Sequence, residues 1–453
     1  MNNLETFHAL HRFGLGPAPG EAAAVGDDPR AWLTAQIGER PLPAALTAFP
    51  SSTDTMARIQ RARTEDPETR RAITRSAYRE IFAAEVAART RVMVETDTPF
   101  AERMVMFWSN HFTVSSTKRT TGPIIPAYER EVIRPHLFGR FEDMLLAAVR
   151  HPAMTSYLDN FASMGEASQA GRMRRARRGA TGTLNENLAR EVLELHTVGV
   201  NGGYDQEDVV ELARILTGWS HGGLRRRRER GTLHGGFEFR AGFHEPGTKT
   251  VLGTRYREDG VAEGERVLAD LARHPATARH IATKLVRHFV ADEPPDAAIT
   301  RIARVFQATE GDLAAVARAL VQLEAAWAQP LAKVKSHYEF VIAAQRATGR
   351  GPVPPSEILE PLRAMGQVPF TAPSPQGWGD RARDWIAPEA LMRRIEWARR
   401  YAATQTVAGD PVALLDDLVG PVAGDVQRTE VRRAPSADAA LALVLASASF
   451  QRR

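Results

Sequence analysis

Asn187, Glu191 and Glu194 stand at i, i+4 and i+7, a spacing that lays three polar side chains along one edge of a helix. Leu184, Leu188, Val192 and Leu195 form the apolar stripe beside them, with Glu191 closest to its centre. A carboxylate in that position suits a general base or a metal ligand. His196 completes a tempting Glu/Glu/His set, but it falls about 140° from Glu191 on an α-helical wheel. Glu191, Glu194 and His196 therefore cannot all reach one ion from an intact helix, and neither E-x-x-H nor H-E-x-x-H spacing is present. A divalent metal would need ligands from elsewhere, with His111, His221, His234 and His244 as candidates; the set expected is His111, Glu191 and His244. The structural alternative makes Glu191 a buried carboxylate paired with Arg190 or Arg214.

A second source of chemistry is PFAERMVMFWSNHFTV, where Met104, Val105, Met106, Phe107, Trp108 and Phe112 put apolar surface almost all round a helix. Such a helix is buried. Ser109, Asn110 and His111 inside it must then find partners, as structural hydrogen-bonders or as site residues. GFHEPGTKT resembles a phosphate loop only superficially: Thr248 separates Gly247 from Lys249 and a proline sits inside. His244, Glu245 and Lys249 read as a polar cluster at a turn. Arg279, His280, Lys284, Arg287 and His288 read as a cationic, solvated helix face. There is no G-x-S-x-G elbow and no dinucleotide fingerprint.

The elements that position these groups are mostly helical. Glu186 and Arg190 form an i, i+4 pair on an outer face. Gly202-Gly203 reverses the chain. Asp205 then caps the next helix, with Tyr204 and Val209 as a hydrophobic staple and Glu207 and Asp208 complementing the helix dipole. His151-Pro152-Ala153 and His274-Pro275-Ala276 each open a helix, explained by proline in the first turn. FEFRAGFHEPGTKTVLGTRY alternates and turns at Pro246-Gly247, a small hairpin. The whole predicts a mainly α fold: one large multi-helix body over 1–453, a β-hairpin excursion at 219–258, and a mobile Arg-rich loop at 161–183.

Composition narrows the chemistry. The chain has no cysteine, so disulfides, thiolate zinc sites, Fe–S clusters and cysteine nucleophiles are excluded. Arg172–Arg178 and Arg225–Arg230 are cationic runs of +5 and +4, so the rest of a chain of formal net charge +5 is net −4. That is an acidic-to-neutral body with two cationic segments, not a nucleic-acid binder. Guanidinium groups there could hold an anion, although solvated loops are the plainer account. No apolar run reaches the roughly 20 residues of a membrane span. The opening MNNLETFHALHRFGLG lacks a basic start followed by an apolar run, so the expectation is a cytoplasmic protein, with export alongside a partner left open.

Long motifs carry a resemblance. HRFGLGPAPGE, FWSNHFTV, NENLAREVLELHTVGVNGGYDQEDVVELARILTGW, HEPGTKTVLG, HPATARHIATKLVRHFVADEPP, KVKSHYEFVIAA, PSPQGW and LASASFQRR are similar to the bacterial family catalogued as domain of unknown function 1800, over essentially the whole chain. His337 and Tyr338 depart from it, standing where the family usually has proline and phenylalanine. The resemblance implies a mainly α-helical fold and no established activity. Frequent neighbours in the sulfatase and alkaline-phosphatase superfamily suggest a partner of that kind.

Two functions are expected. The first is a hydrolytic or metal-assisted activity on an anionic substrate, in a pocket between the FWSNHF helix, the NENLAREVLELH helix and the HEPG turn. Asn110, His111, Asn187, Glu191 and Glu194 would be its catalytic residues, and Arg190, Arg214 and Lys249 its anion-binding ones. The second is a non-catalytic accessory protein working with a sulfatase- or phosphatase-like partner through the arginine segments and the Trp378 loop.

Overall fold

The computed structural model describes residues 3–62, 65–118, 121–178, 184–222, 235–349, 354–406 and 410–453. Helices dominate, and the described strands form two antiparallel pairs. β1 (Trp219–His221) pairs with β2 (Phe237–Phe239), and β3 (Lys249–Val251) with β4 (Thr254–Tyr256). The fold is mainly α with a small hairpin region, as the periodicity predicts. The second turn, though, is Leu252-Gly253 and not Pro246-Gly247. Both its residues have positive φ, 47° and 77°, the backbone of a tight two-residue hairpin. Among the described residues no helix is long and apolar enough to cross a membrane.

Two apolar clusters build the interior. One gathers the Pro99–His111, Phe141–Arg150, Val261–Arg273 and Pro275–Phe289 helices. The other centres on His337–Thr348 with Pro388–Ala402 and Ala437–Ala446. The FWSNHF helix belongs to the first, and its Met106 packs against the second. Its all-round hydrophobicity is thus explained by neighbours on both sides.

Capping follows the sequence where the cap is a familiar one. Asp205 accepts from the amides of Glu207 (2.8 Å) and Asp208 (3.0 Å), and Asp208 returns a bond from the Asp205 amide at 3.1 Å. The same acids dock the hairpin: Leu252 N donates to Asp208 (2.7 Å) and Thr250 N to Glu211 (3.1 Å). The His-Pro-Ala pair holds more than a proline effect. In both copies the histidine Nδ1 caps the helix, His151 accepting from Ala153 N at 3.0 Å and His274 from Ala276 N at 3.2 Å.

Residues 161–183, expected as a loop, include a helix at Gln169–Arg178. Arginine and alanine are good helix formers, and Ser168 Oγ accepts from Gly171 N at 3.0 Å at its start. Arg225–Arg230 and His234 lie outside the described residues.

Candidate functional site

The helix carrying Asn187 and Glu191 runs as an α-helix only over Asn187–Glu191 and continues as a π-helix over Val192–His196. A π turn accommodates an extra residue per turn, so the ideal wheel fails after Glu191. Thr197 Oγ1 on Val192 O (2.6 Å) and Gly199 N on Leu193 O (3.0 Å) close it. Gly199 is needed there: its φ is +83°, and a Cβ would stand 2.6 Å from His280 Nδ1. The close approach lets His280 Nε2 donate to Leu195 O at 3.0 Å. The Pro275–Phe289 helix is thereby fastened to the π turn.

Where the FWSNHF helix, the π turn, the Pro275–Phe289 helix, the start of His337–Thr348 and the 369–385 loop meet, they enclose a cavity of about 550 Å³. It opens at the seam of the two apolar clusters, with Phe107 from one and Tyr338 from the other on its wall. Asn110, His111 and Glu194 line it. So do His280, Lys284, Arg287, His288 and Asp380.

His111 is buried and has both ring nitrogens engaged. Nε2 faces His196 O at 3.1 Å and Nδ1 faces Lys284 Nζ at 2.9 Å. A carbonyl can only accept, so Nε2 carries the proton and Nδ1 is the lone pair that receives Lys284. Burial, then the Lys284 charge, hold the imidazole well below its usual pKa. Burial likewise brings the Lys284 ammonium down to about 8, with Asp380 opposing and Arg287 adding to the effect.

One turn further along the helix, His288 Nδ1 lies 2.9 Å from Asp380 Oδ2. His288 Nε2 has no hydrogen-bond partner among the described residues. Burial lowers the His288 pKa and the Asp380 carboxylate works against that. Burial acts to raise Asp380, but His288, Lys333 and Arg453 hold it below the usual range. A histidine whose Nδ1–H is directed by a carboxylate, with a buried Nε2 left unpartnered among the described residues, has the tautomer of a general base.

The other expected residues are distributed differently. Asn110 lines the cavity but clamps a backbone: its Oδ1 accepts from Trp378 N (2.7 Å) and its Nδ2 donates to Trp378 O (3.0 Å). Ser109 Oγ donates to Glu129 at 2.7 Å, beside Arg89 on the same oxygen. Glu191 is half-buried on the outer edge and pushed up to about 7 by burial and by Glu194, with Arg190 offsetting part. It therefore has neither of the close arginine partners expected for it; Arg190 pairs with Glu186 (3.0 Å) and Arg214 with Glu211. Asn187 is exposed.

The HEPG turn forms a separate buried cluster. His244 Nε2 and Lys249 Nζ lie 3.0 and 3.2 Å from Glu263 Oε2, and His244 Nδ1 lies 3.0 Å from Thr217 O. The metal set His111, Glu191 and His244 is therefore not assembled: both histidines are fully hydrogen-bonded and His244 belongs to a different cluster. Among the described residues no group of three or more His, Asp or Glu is arranged to hold a metal ion. Sequence reasoning missed Asp380 and read Lys284 and His288 as part of a solvated face rather than as cavity residues. The available signal was His280, Lys284 and His288 at i, i+4 and i+8, one continuous stripe.

The two positions that depart from the family pattern are both engaged. Tyr338 OH meets Thr90 Oγ1 at 2.8 Å, and His337 Nδ1 accepts from Arg394 Nε at 2.9 Å.

Fold and site together describe a mainly α-helical protein with a half-enclosed cavity of mixed apolar and charged lining at its core seam. The chain belongs to the family described as a protein of unknown function, DUF1800, whose model matches residues 8–452. No curated protein and no solved structure matches it.

Proposed function

We propose that the cavity is an active site for a small anionic molecule, with Lys284 and Arg287 seating the anion and the His288–Asp380 pair activating water for hydrolysis. The observation that carries this is the cation stripe on the Pro275–Phe289 helix. Lys284 has three donors, and His111 Nδ1 is the hydrogen-bond partner it meets among the described residues; Arg287 places Nε on Asp292 O at 3.4 Å. An ammonium and a guanidinium with donors to spare, in a partly desolvated cavity, suit a carboxylate or phosphate. Glu194, also on the cavity wall, disfavours an anion beside it and so orients the ligand.

This reading moves the expected chemistry from Glu191 and His111 to Lys284 and His288. His111 becomes a positioning residue, because its Nδ1 already receives Lys284. The test is titration of the purified chain with inorganic phosphate and with malonate at constant ionic strength, followed by calorimetry and melting temperature. Saturable binding that Lys284→Met abolishes and Arg174→Glu leaves intact is expected. Absence of binding by either anion, or equal binding by Lys284→Met, would overturn the proposal. Loss of binding on Arg174→Glu instead would favour an accessory protein acting through its arginine segment.

A further inference from the structure

The chain contains 54 arginines and five lysines, so lysine is not its default cation. Four of the five are tied down. Lys118 pairs with Asp159, Lys249 with Glu263 and Lys333 with Asp292. Lys335 is fully buried and fills its three donors with Phe450 O, Arg452 O and His11 Nδ1. Lys284 alone lines the cavity, and no carboxylate among the described residues stands within ion-pair distance of its Nζ. Its neighbour is instead an imidazole lone pair, which can take a hydrogen bond from an amine as well as from an ammonium.

We propose that Lys284 is the nucleophile of a covalent mechanism, its Nζ condensing with the carbonyl carbon of a small aldehyde or ketone that carries an anionic group. The inference rests on the reading of the cavity as an anion site and narrows it: the bond that His288-activated water hydrolyses is the C=N bond formed at Lys284, and the anion stays on Arg287 once Nζ is covalently engaged. The amine form of Lys284 adds to the carbonyl carbon as the C=O π pair moves to oxygen. The resulting carbinolamine loses that oxygen as water, so that ammonium plus carbonyl gives iminium plus water, with protons and charge in balance. Release is the reverse: His288 Nε2 takes a proton from water, the hydroxide adds to the iminium carbon, and the C–N bond breaks as Nζ is reprotonated. Arg287, one turn from Lys284, holds the anionic end. An ammonium brought down to about 8 exposes far more free amine near neutral pH than an ordinary lysine does, which is how buried lysines become nucleophiles.

The test uses the full chain, glyoxylate as the anionic aldehyde, propionaldehyde as the neutral control, and cyanoborohydride to reduce any iminium. Peptide mass spectrometry then reads each of the five lysines. Lys284 is expected to be reductively alkylated by glyoxylate on the order of tenfold faster than Lys118. It should also outpace its own labelling by propionaldehyde, and malonate should protect it. Preferential labelling of any other lysine, or none at Lys284 while malonate still binds, overturns the covalent step and leaves the anion site standing. Labelling of Lys284 equally fast with both aldehydes and without protection by malonate overturns the anion site beneath it. Because the wild-type chain is mapped, no variant needs to fold.

Discussion

Asn110 offers a test of how the cavity is built. Its side-chain amide makes a two-point contact with the backbone of Trp378, accepting at 2.7 Å and donating at 3.0 Å. Asn110→Asp keeps the acceptor and replaces the donor with an anionic oxygen about 3 Å from the Trp378 carbonyl. One net hydrogen bond is lost, about 1 kcal/mol, and confronting a half-buried carbonyl with a second acceptor adds about 1–3 more. Asn110→Ala removes both bonds but introduces no repulsion, and water can replace the amide, so its cost is about 1–2 kcal/mol. The signature is therefore the order, aspartate worse than alanine, although aspartate is the closer isostere. Urea unfolding gives the stabilities, and hydrogen exchange over 369–385 shows whether the loss is local to the loop. Gly377→Ala should mimic it, since its φ is +83° and a Cβ would stand 2.6 Å from both Asn110 O and Oδ1. An aspartate variant as stable as wild type, or loop amides exchanging at the native rate, would refute the clamp.

Two further outcomes test the surrounding structure. Glu191 has a folded pKa of about 7 against an ordinary 4.5, so the folded state holds the extra proton and stability falls as pH rises through that window, levelling above it. Glu191→Gln should remove about 1 kcal/mol of that slope after solvent screening is allowed for. Glu85, also raised to about 7 by burial, slopes the same way, so the readout is the difference between variant and wild-type unfolding curves, and a flat difference retires the assignment. Arg346→Lys should cost about 3–5 kcal/mol in urea unfolding. The buried guanidinium serves Gly16 O, Met93 O, Val94 O, Thr96 O and both oxygens of Glu21 at 2.7–3.2 Å, more than a three-donor ammonium can reach. A cost below about 1 kcal/mol would mean the N-terminal Gly-Pro segment does not depend on it.

Features governed by local rules were legible in the chain. Asp205 announced its capping box, and the FWSNHF run announced a helix buried on all sides. The alternation before Tyr256 announced strands, though not which residues would turn. What escaped was non-local or rare. The π turn at Val192–His196 carries no compositional mark, yet it displaces every residue after Glu191 from its α-helical phase. It leaves His196 fully buried beside His111, with ring centroids 6.1 Å apart. Histidine as an N-cap lies outside the usual Ser, Thr, Asp and Asn preference, so the His-Pro-Ala pairs read only as proline starts. The Lys284 stripe looked solvated because a helical wheel sees only its own helix. The stripe's partners come from distant segments: Leu195 O for His280, His111 for Lys284 and Asp380 for His288.

The buried charges near the cavity explain how the 369–385 loop is held to one position. Glu339 accepts from Ser336 N at 2.6 Å, pairs with Arg103 and lies 3.2 Å from Arg453. Arg453 reaches Asp380 at 3.8 Å, and Lys333 bridges Asp292 to the Asp380 carbonyl while Ala382 N donates to Asp292 at 2.6 Å. Ionic groups so deeply placed contribute little net stability, because desolvation offsets their attraction. Their effect is on geometry: each charge tolerates only an arrangement in which its partner is present, and the partners come from five separated segments. Asp380 is therefore fixed in position before any ligand arrives. His288 then has one tautomer that satisfies it, with the proton on Nδ1 and the lone pair on Nε2. On this argument removing Arg453 or Lys333 would disturb the protonation of His288 without either residue touching the ligand, whereas an apolar core of equal volume would leave the loop free to shift.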